Sequence, residues 1–195
     1  MSERRSVSFA RPFGGFTLAA MLVGLGACSS PAPPTFDLSA PTIGRVAKSR
    51  GQLAVSEPVA VQTLNSQQIV VRDAAGAVSA LPGAQWSDRL PALVQTRLIQ
   101  AFENAGRLGQ VGRPGDGTIA AFQLATELRH FQVRSATNDA VVEIAARLIN
   151  AATGQVVASR IFSAQVPIGK ISGPAAAVAL DQALGDVLAQ IVRWA

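Results

Sequence analysis

Apolar residues alternate with polar ones in some stretches of this chain and recur every three or four positions in others. The change of period marks out the elements. Phe36-Asp37-Leu38 alternates as a short strand does, and residues 40–51, with Pro41, Gly44 and Gly51, read as a loop. Leu53, Val55, Val59 and Val61 define a strand region over 53–64, bent at Pro58. Ile69-Val70-Val71 centres a second strand over 68–72. Asp73-Ala74-Ala75-Gly76 turns it, and residues 77–81 return as a hairpin partner. Then the period lengthens. Leu90, Leu93, Val94, Leu98, Ala101 and Phe102 make one helical face, with Ser87 as the expected cap, Pro91 in the first turn and Gly106 as the stop. Trp86 is placed to pack over the start of this helix.

Beyond a glycine-rich loop over 109–117, alternation resumes. In residues 119–134 the apolar parity is Phe122, Leu124 and Leu128, then shifts to Phe131 and Val133, which predicts a β-bulge at Arg129-His130. Residues 140–150 alternate best, with Val142, Ile144, Ala146 and Leu148 facing one way. A turn at 152–155 leads to a strand over 156–166. Ser172-Gly173-Pro174 opens a last helix with the stripe Ala177, Leu180, Leu184, Val187, Leu188 and Ile191. The order β-β-β-α-β-β-β-α predicts an α+β two-layer sandwich, a mainly antiparallel sheet with two helices packed on one face.

The N-terminal stretch follows neither period. Arg4, Arg5 and Arg11 precede an uncharged, mostly apolar run, Phe16 to Leu25, and then Leu25-Gly26-Ala27-Cys28. The run suits a signal peptide and is well short of the roughly 20 residues that span a bilayer. Small residues expose the bond before Cys28, the one cysteine of the chain, whose thiol can accept a diacylglyceryl group. This is the pattern of a bacterial lipobox. It predicts a signal peptide over 1–27, a lipidated, proline-rich tether over 28–34 and a single domain over 35–195. The domain is held at a membrane by N-terminal acyl chains, and two or three such chains make the anchor durable. Ser29, in place of Asp, favours the periplasmic face of the outer membrane.

Charge and chemistry change this picture little. The net charge of +5 is scattered, and lysine occurs at Lys48 and Lys170 alone, so no basic groove for nucleic acid is expected. The glycine-rich loop lacks both phosphate-binding spacings. His130 stands without nearby cysteines or an H-E-x-x-H pattern, tyrosine is absent, and the acids are dispersed. No catalytic residue, metal site or cofactor is expected, and the chain reads as a non-enzyme.

Several short segments stand in a telling order: the cysteine, then Phe36-x-Leu38 and Pro41; Leu53 to Val61; Gln67-Gln68-Ile69-Val70-Val71-Arg72; Trp86-Ser87-Asp88-Arg89-Leu90; and the late hairpin and alanine-rich helix. Over residues 28–195 this resembles the ABC-type transport auxiliary lipoproteins, the family of the paraquat-inducible operon lipoprotein. The resemblance implies a non-catalytic partner of an ABC permease and ATPase working with an MCE-domain protein that moves phospholipids or other hydrophobic molecules such as sterols. Only Cys28 carries a defined role over from it. The polar parity of the best strand contains three apolar residues, Val141, Ala145 and Ile149. They are the candidate interface, open to a second protomer, to the MCE partner or to lipid. The competing expectation is a scaffold lipoprotein of another outer-membrane complex, serving lipopolysaccharide export or a secretion pore.

Overall fold

The computed structural model describes residues 32–44, 51–106, 109–117 and 119–195. Leu25, Gly26, Ala27 and Cys28 lie outside the described residues. Residues Ala32–Ala195 form one compact unit. Among the described residues nine strands make one sheet: β1 (Thr35–Phe36), β2 (Gln52–Val55), β3 (Val59–Ala60), β4 (Gln68–Arg72), β5 (Val78–Trp86), β6 (Gln110–Gly112), β7 (Phe122–Arg134), β8 (Asp139–Asn150) and β9 (Val156–Pro167). Two helices, α1 (Leu90–Ala105) and α2 (Gly173–Trp194), cover one face of it. The α+β two-layer arrangement is the one the periodicity predicts.

The sheet is mixed, and its centre is β7. On one side β7 pairs antiparallel with β8 along nearly its whole length, and β8 pairs with β9 in the same way. On the other side, three short strands run parallel to β7 in succession. They are β2 at Phe122–Leu124, β3 at Glu127–Leu128 and β4 at Gln132–Arg134. Pro58, which has no N–H to give, falls in the break between β2 and β3. The register of β7 against β8 shifts between Leu128 and His130, the bulge that the change of apolar parity predicts. β6 adds to β2, while β5 and then β1 add to β4.

The inner face joins Leu124, Leu128, Phe131, Val142, Ile144 and Phe162 to the helix stripes in a single core. Trp86 is fully buried and meets Phe131 edge-on at 5.8 Å. α2 is long and apolar enough to cross a bilayer by length and composition, but its stripe from Ala177 to Ile191 is buried in this core.

Ser87 does not cap α1. The residue before the helix is Arg89, and it makes no side-chain capping bond. The Ser66 carbonyl accepts from the Leu90 N–H at 3.0 Å, and Pro91 has no N–H to satisfy. Ser87 Oγ donates instead to Asp37. Ser172 does cap α2, accepting from the Ala175 N–H, and Gly106 ends α1 in the left-handed region.

Residues 35–43 form a strap across both helices. Leu38 and Ile43 are buried, Arg97 of α1 meets Asp37 at 2.6 Å, and Asp181 of α2 accepts from the N–H and hydroxyl of Ser39 at 2.7 and 2.6 Å. The strap thus takes up Asp181, a carboxylate that the helical pattern assigns to the solvated side.

β5 carries three more residues than β4 between the pairs Gln68↔Gln85 and Val70↔Ala80, and Gly83 lies at φ 69° within that excess. The swelling pushes Ala84 against the first residue of α2. A Cβ on Gly173 would lie 2.7 Å from the Ala84 Cβ and 3.3 Å from the Gly83 carbonyl oxygen. Gly173→Ala must therefore displace α2 or β5. We expect a loss of about 1–3 kcal/mol, read as a lower urea midpoint with the slope unchanged. An unaltered midpoint would show that the approach is not tight.

Candidate functional site

The face of β7–β8–β9 turned away from the helices holds the residues the sequence nominates. On β8 this parity is Asp139, Val141, Glu143, Ala145, Arg147 and Ile149. Val141 lies between Gln132 of β7 and Gln165 of β9, and is only 7% exposed. Ala145 lies between Glu127 and Ile161, and Ile149 between Gln123 and Val156; both are half-buried. The three are therefore in one row but not equally accessible. Ile161, which the alternation on β8 does not single out, is an exposed apolar residue beside Ala145, at 51%, as Val156 is beside Ile149. The signal for Ile161 was the same alternation on β9, where it stands opposite the polar-parity position Ala145.

Polar bonds fix one end of this face. Arg134 of β7 grips Asp139 with Nε at 2.9 Å and with Nη2, and also donates to Gln165 at 3.2 Å. Thr137 adds a hydroxyl to Asp139 at 2.6 Å. Arg72 of β4 donates to Gln132 at 3.3 Å. The bonds from Arg134 hold the Asp139 carboxyl below the usual carboxylate range against the opposing effect of burial, with help from Thr137. Burial acts most strongly on Asp37 and would raise it, but Arg97, the Leu38 N–H and Ser87 together bring it below that range.

The middle of the face is an open groove of about 420 Å³, lined among others by Glu127, Arg129, Ala145, Arg147 and Ile161. Arg129 reaches Glu127 at 4.0 Å, and the Arg160 guanidinium at its margin lies 5.3 Å from the Phe162 ring centre. His130 sits at the bulge opposite Glu143. Among the described residues no three His, Cys, Asp or Glu side chains gather as metal ligands. The groove offers guanidinium donors beside an apolar wall.

A model of the ABC-type transport auxiliary lipoprotein component matches residues 35–192. The chain belongs to this family. The family is that of the auxiliary lipoprotein component of ABC-type transport, and its lipoprotein character implies association with the cell envelope. It is 32% identical over 166 residues to an uncharacterized protein of Bradyrhizobium diazoefficiens, covering 82% of this chain and 44% of that one, so the chain spans less than half the length of this curated relative. Among solved structures it is similar to a Xanthomonas campestris protein at 28% identity and TM-score 0.70, over 83% of this chain and 91% of that one. A second, uncharacterized protein shares the fold at 16% identity and TM-score 0.64, over 83% and 99% of the two chains.

The Arg134–Asp139 clasp joins the ends of β7 and β8, and it predicts a pH dependence. Both Asp37 and Asp139 titrate lower in the folded chain than the unfolded value of about 3.9. Their contribution is present above that value and is lost as pH falls through the folded value. Asp139→Asn should cost about 1 kcal/mol at neutral pH, since Arg134 remains partly solvated. In urea melts at successive pH, the gap between variant and parent should close below about pH 4. A gap that persists into acid would mean that the clasp is not ionic.

Proposed function

We propose that the chain is a non-catalytic lipoprotein, acylated at Cys28 and held at the periplasmic face of the outer membrane. It serves an ABC permease, its ATPase and an MCE-domain protein that together move phospholipids or sterol-like molecules. The family match supports this most directly, because it begins at residue 35, close behind the lipobox cysteine. The lipobox supports a signal peptide over 1–27 and a tether over 28–34. The compact unit Ala32–Ala195 supports a single domain after it.

The docking surface for the MCE protein is the open sheet face around Ala145 and Ile149. This face has no helix over it among the described residues, combines apolar positions with arginines, and is rigid because β7–β9 form long ladders, each with one register shift. Val141 belongs to the same row but supports it from beneath, being nearly buried.

The reading is tested by affinity purification of the chain from gently solubilised envelopes, with mass spectrometry of bound proteins and lipids. An MCE protein with its permease and ATPase should copurify. Ala145→Asp with Ile149→Asp should lower that recovery about tenfold or more while leaving the melting curve close to the parent's. Cys28→Ser should release the chain from the membrane fraction. Recovery of an outer-membrane barrel or secretion pore instead would retire the transport reading in favour of a scaffold role.

A further inference from the structure

β9 is the long edge of the sheet. It spans Val156–Pro167 and pairs only with β8 among the described strands. The other edges are the short strands β1, β3 and β6. A long edge presents a row of unpaired N–H and C=O groups, and proteins ordinarily blunt such rows with lysines, prolines, bulges or a covering element. Between Ala158 and Val166 this strand has no lysine, no proline and no register shift against β8. Its exposed residues include Val156, Val157 and Ile161.

The direction of the open groups can be read from the ladder. The Ile168 N–H donates to the Asn138 carbonyl at 2.7 Å, which flanks the pair Asp139↔Pro167 and makes it a non-hydrogen-bonded pair. Alternation along the strand then turns the backbone groups of Ala158, Arg160, Phe162, Ala164 and Val166 toward β8. It turns those of Ser159, Ile161, Ser163 and Gln165 toward open space. The Gln190 amide of α2 reaches the Ser163 carbonyl at 3.5 Å, as an outward carbonyl allows. The carbonyl keeps a second lone pair for another donor.

We propose that β9 pairs antiparallel with β9 of a second copy about a two-fold axis at Ile161, continuing the sheet across two protomers. The sequence of the strand is self-complementary in that register. Ile161 faces Ile161 of the second copy, Ser159 faces Ser163, Ala158 faces Ala164, and Val156 faces Val166. Arg160, the one charge on the strand, faces Phe162 of the second copy and is kept apart from its own counterpart. Its guanidinium already lies over the Phe162 ring within the chain, so the pairing extends an existing cation–π arrangement. An axis one residue earlier would set Arg160 against Arg160, a like-charge pair that a ladder disfavours. An isologous contact of this kind closes on itself and leaves no further open edge of comparable length.

Disulfide trapping in the full chain, purified in detergent, tests both the contact and its register. Ile161→Cys places two thiols on the axis, with Cα atoms about 5.5 Å apart, within disulfide reach. Ser159→Cys places them four residues out of register, roughly 14 Å apart and beyond reach. Val59→Cys, at an exposed site on β3, reports random collision. Under mild oxidation I161C should give a dimer band many-fold above V59C, while S159C stays at the V59C level and S159C with S163C rises above it. The unaltered chain, whose one cysteine is Cys28, sets the background, so a failure of acylation raises every lane and is told apart from pairing at β9. The unaltered chain should also sediment as a dimer. An I161C signal no greater than V59C, an S159C signal equal to I161C, or a monomer throughout would overturn the proposal. None of these outcomes depends on recovering a transport partner.

Discussion

The structure depends on satisfying both edges of one thirteen-residue strand, β7. A strand buried at the middle of a sheet must find a partner for each backbone N–H and C=O, and an unpaired buried amide costs on the order of 1–3 kcal/mol. On one side β8 meets this demand by a simple hairpin. On the other, no single segment is long enough, and β2, β3 and β4 share the edge in sequence order. The gaps between them are also managed. The Ser56 N–H reaches the Leu124 carbonyl at 3.0 Å where β2 ends, and the bulge at Arg129 falls between the stretches served by β3 and β4. The remaining elements follow from this edge. β6 can pair because β2 is held, and β5 can pair because β4 is. The strap from Thr35 in turn lies on β5 before crossing α1 and α2.

That dependence explains what the chain discloses on inspection. Local periods reveal β7, β8, β9 and both helices, because each carries its own alternation or stripe. The bulge is visible because Leu128 and Phe131 break parity. The parallel pairing of β2, β3 and β4 with β7 is not visible. It joins residues some seventy positions apart and leaves no mark on either segment alone. β6 hides within a glycine-rich loop because only Val111 gives it an apolar position. Trp86-Ser87 looks like a helix entry because Trp, Ser and Asp precede an apolar stripe. In the fold Trp86 closes β5, and Asp37, fifty residues upstream, takes the hydroxyl that would have capped the helix. Of the candidate face, its residues were legible and their burial was not. Val141 carries the same alternation signal as Ile149, yet the flanking rows and the Arg134–Asp139 clasp leave it almost no surface.

The same architecture sets what kind of work the domain can do. Two helices on one face use up the inner side of the sheet, and the strap uses up polar groups such as Asp37 and Asp181. The unspent surfaces are the outer face and the β9 edge. Both are backbone-rigid, so they can present a fixed pattern of groups to another macromolecule at little cost in ordering. The sheet runs from β1 through β5, β4, β7 and β8 to β9. The described chain enters at β1, so any tether ahead of Thr35 leaves from the edge opposite β9. The chain's entry at β1 and the long strand at the other edge are separated by the full width of the sheet, about 4.8 Å for each strand spacing. A domain built this way can be held at its β1 edge while its far edge and outer face stay open to contact.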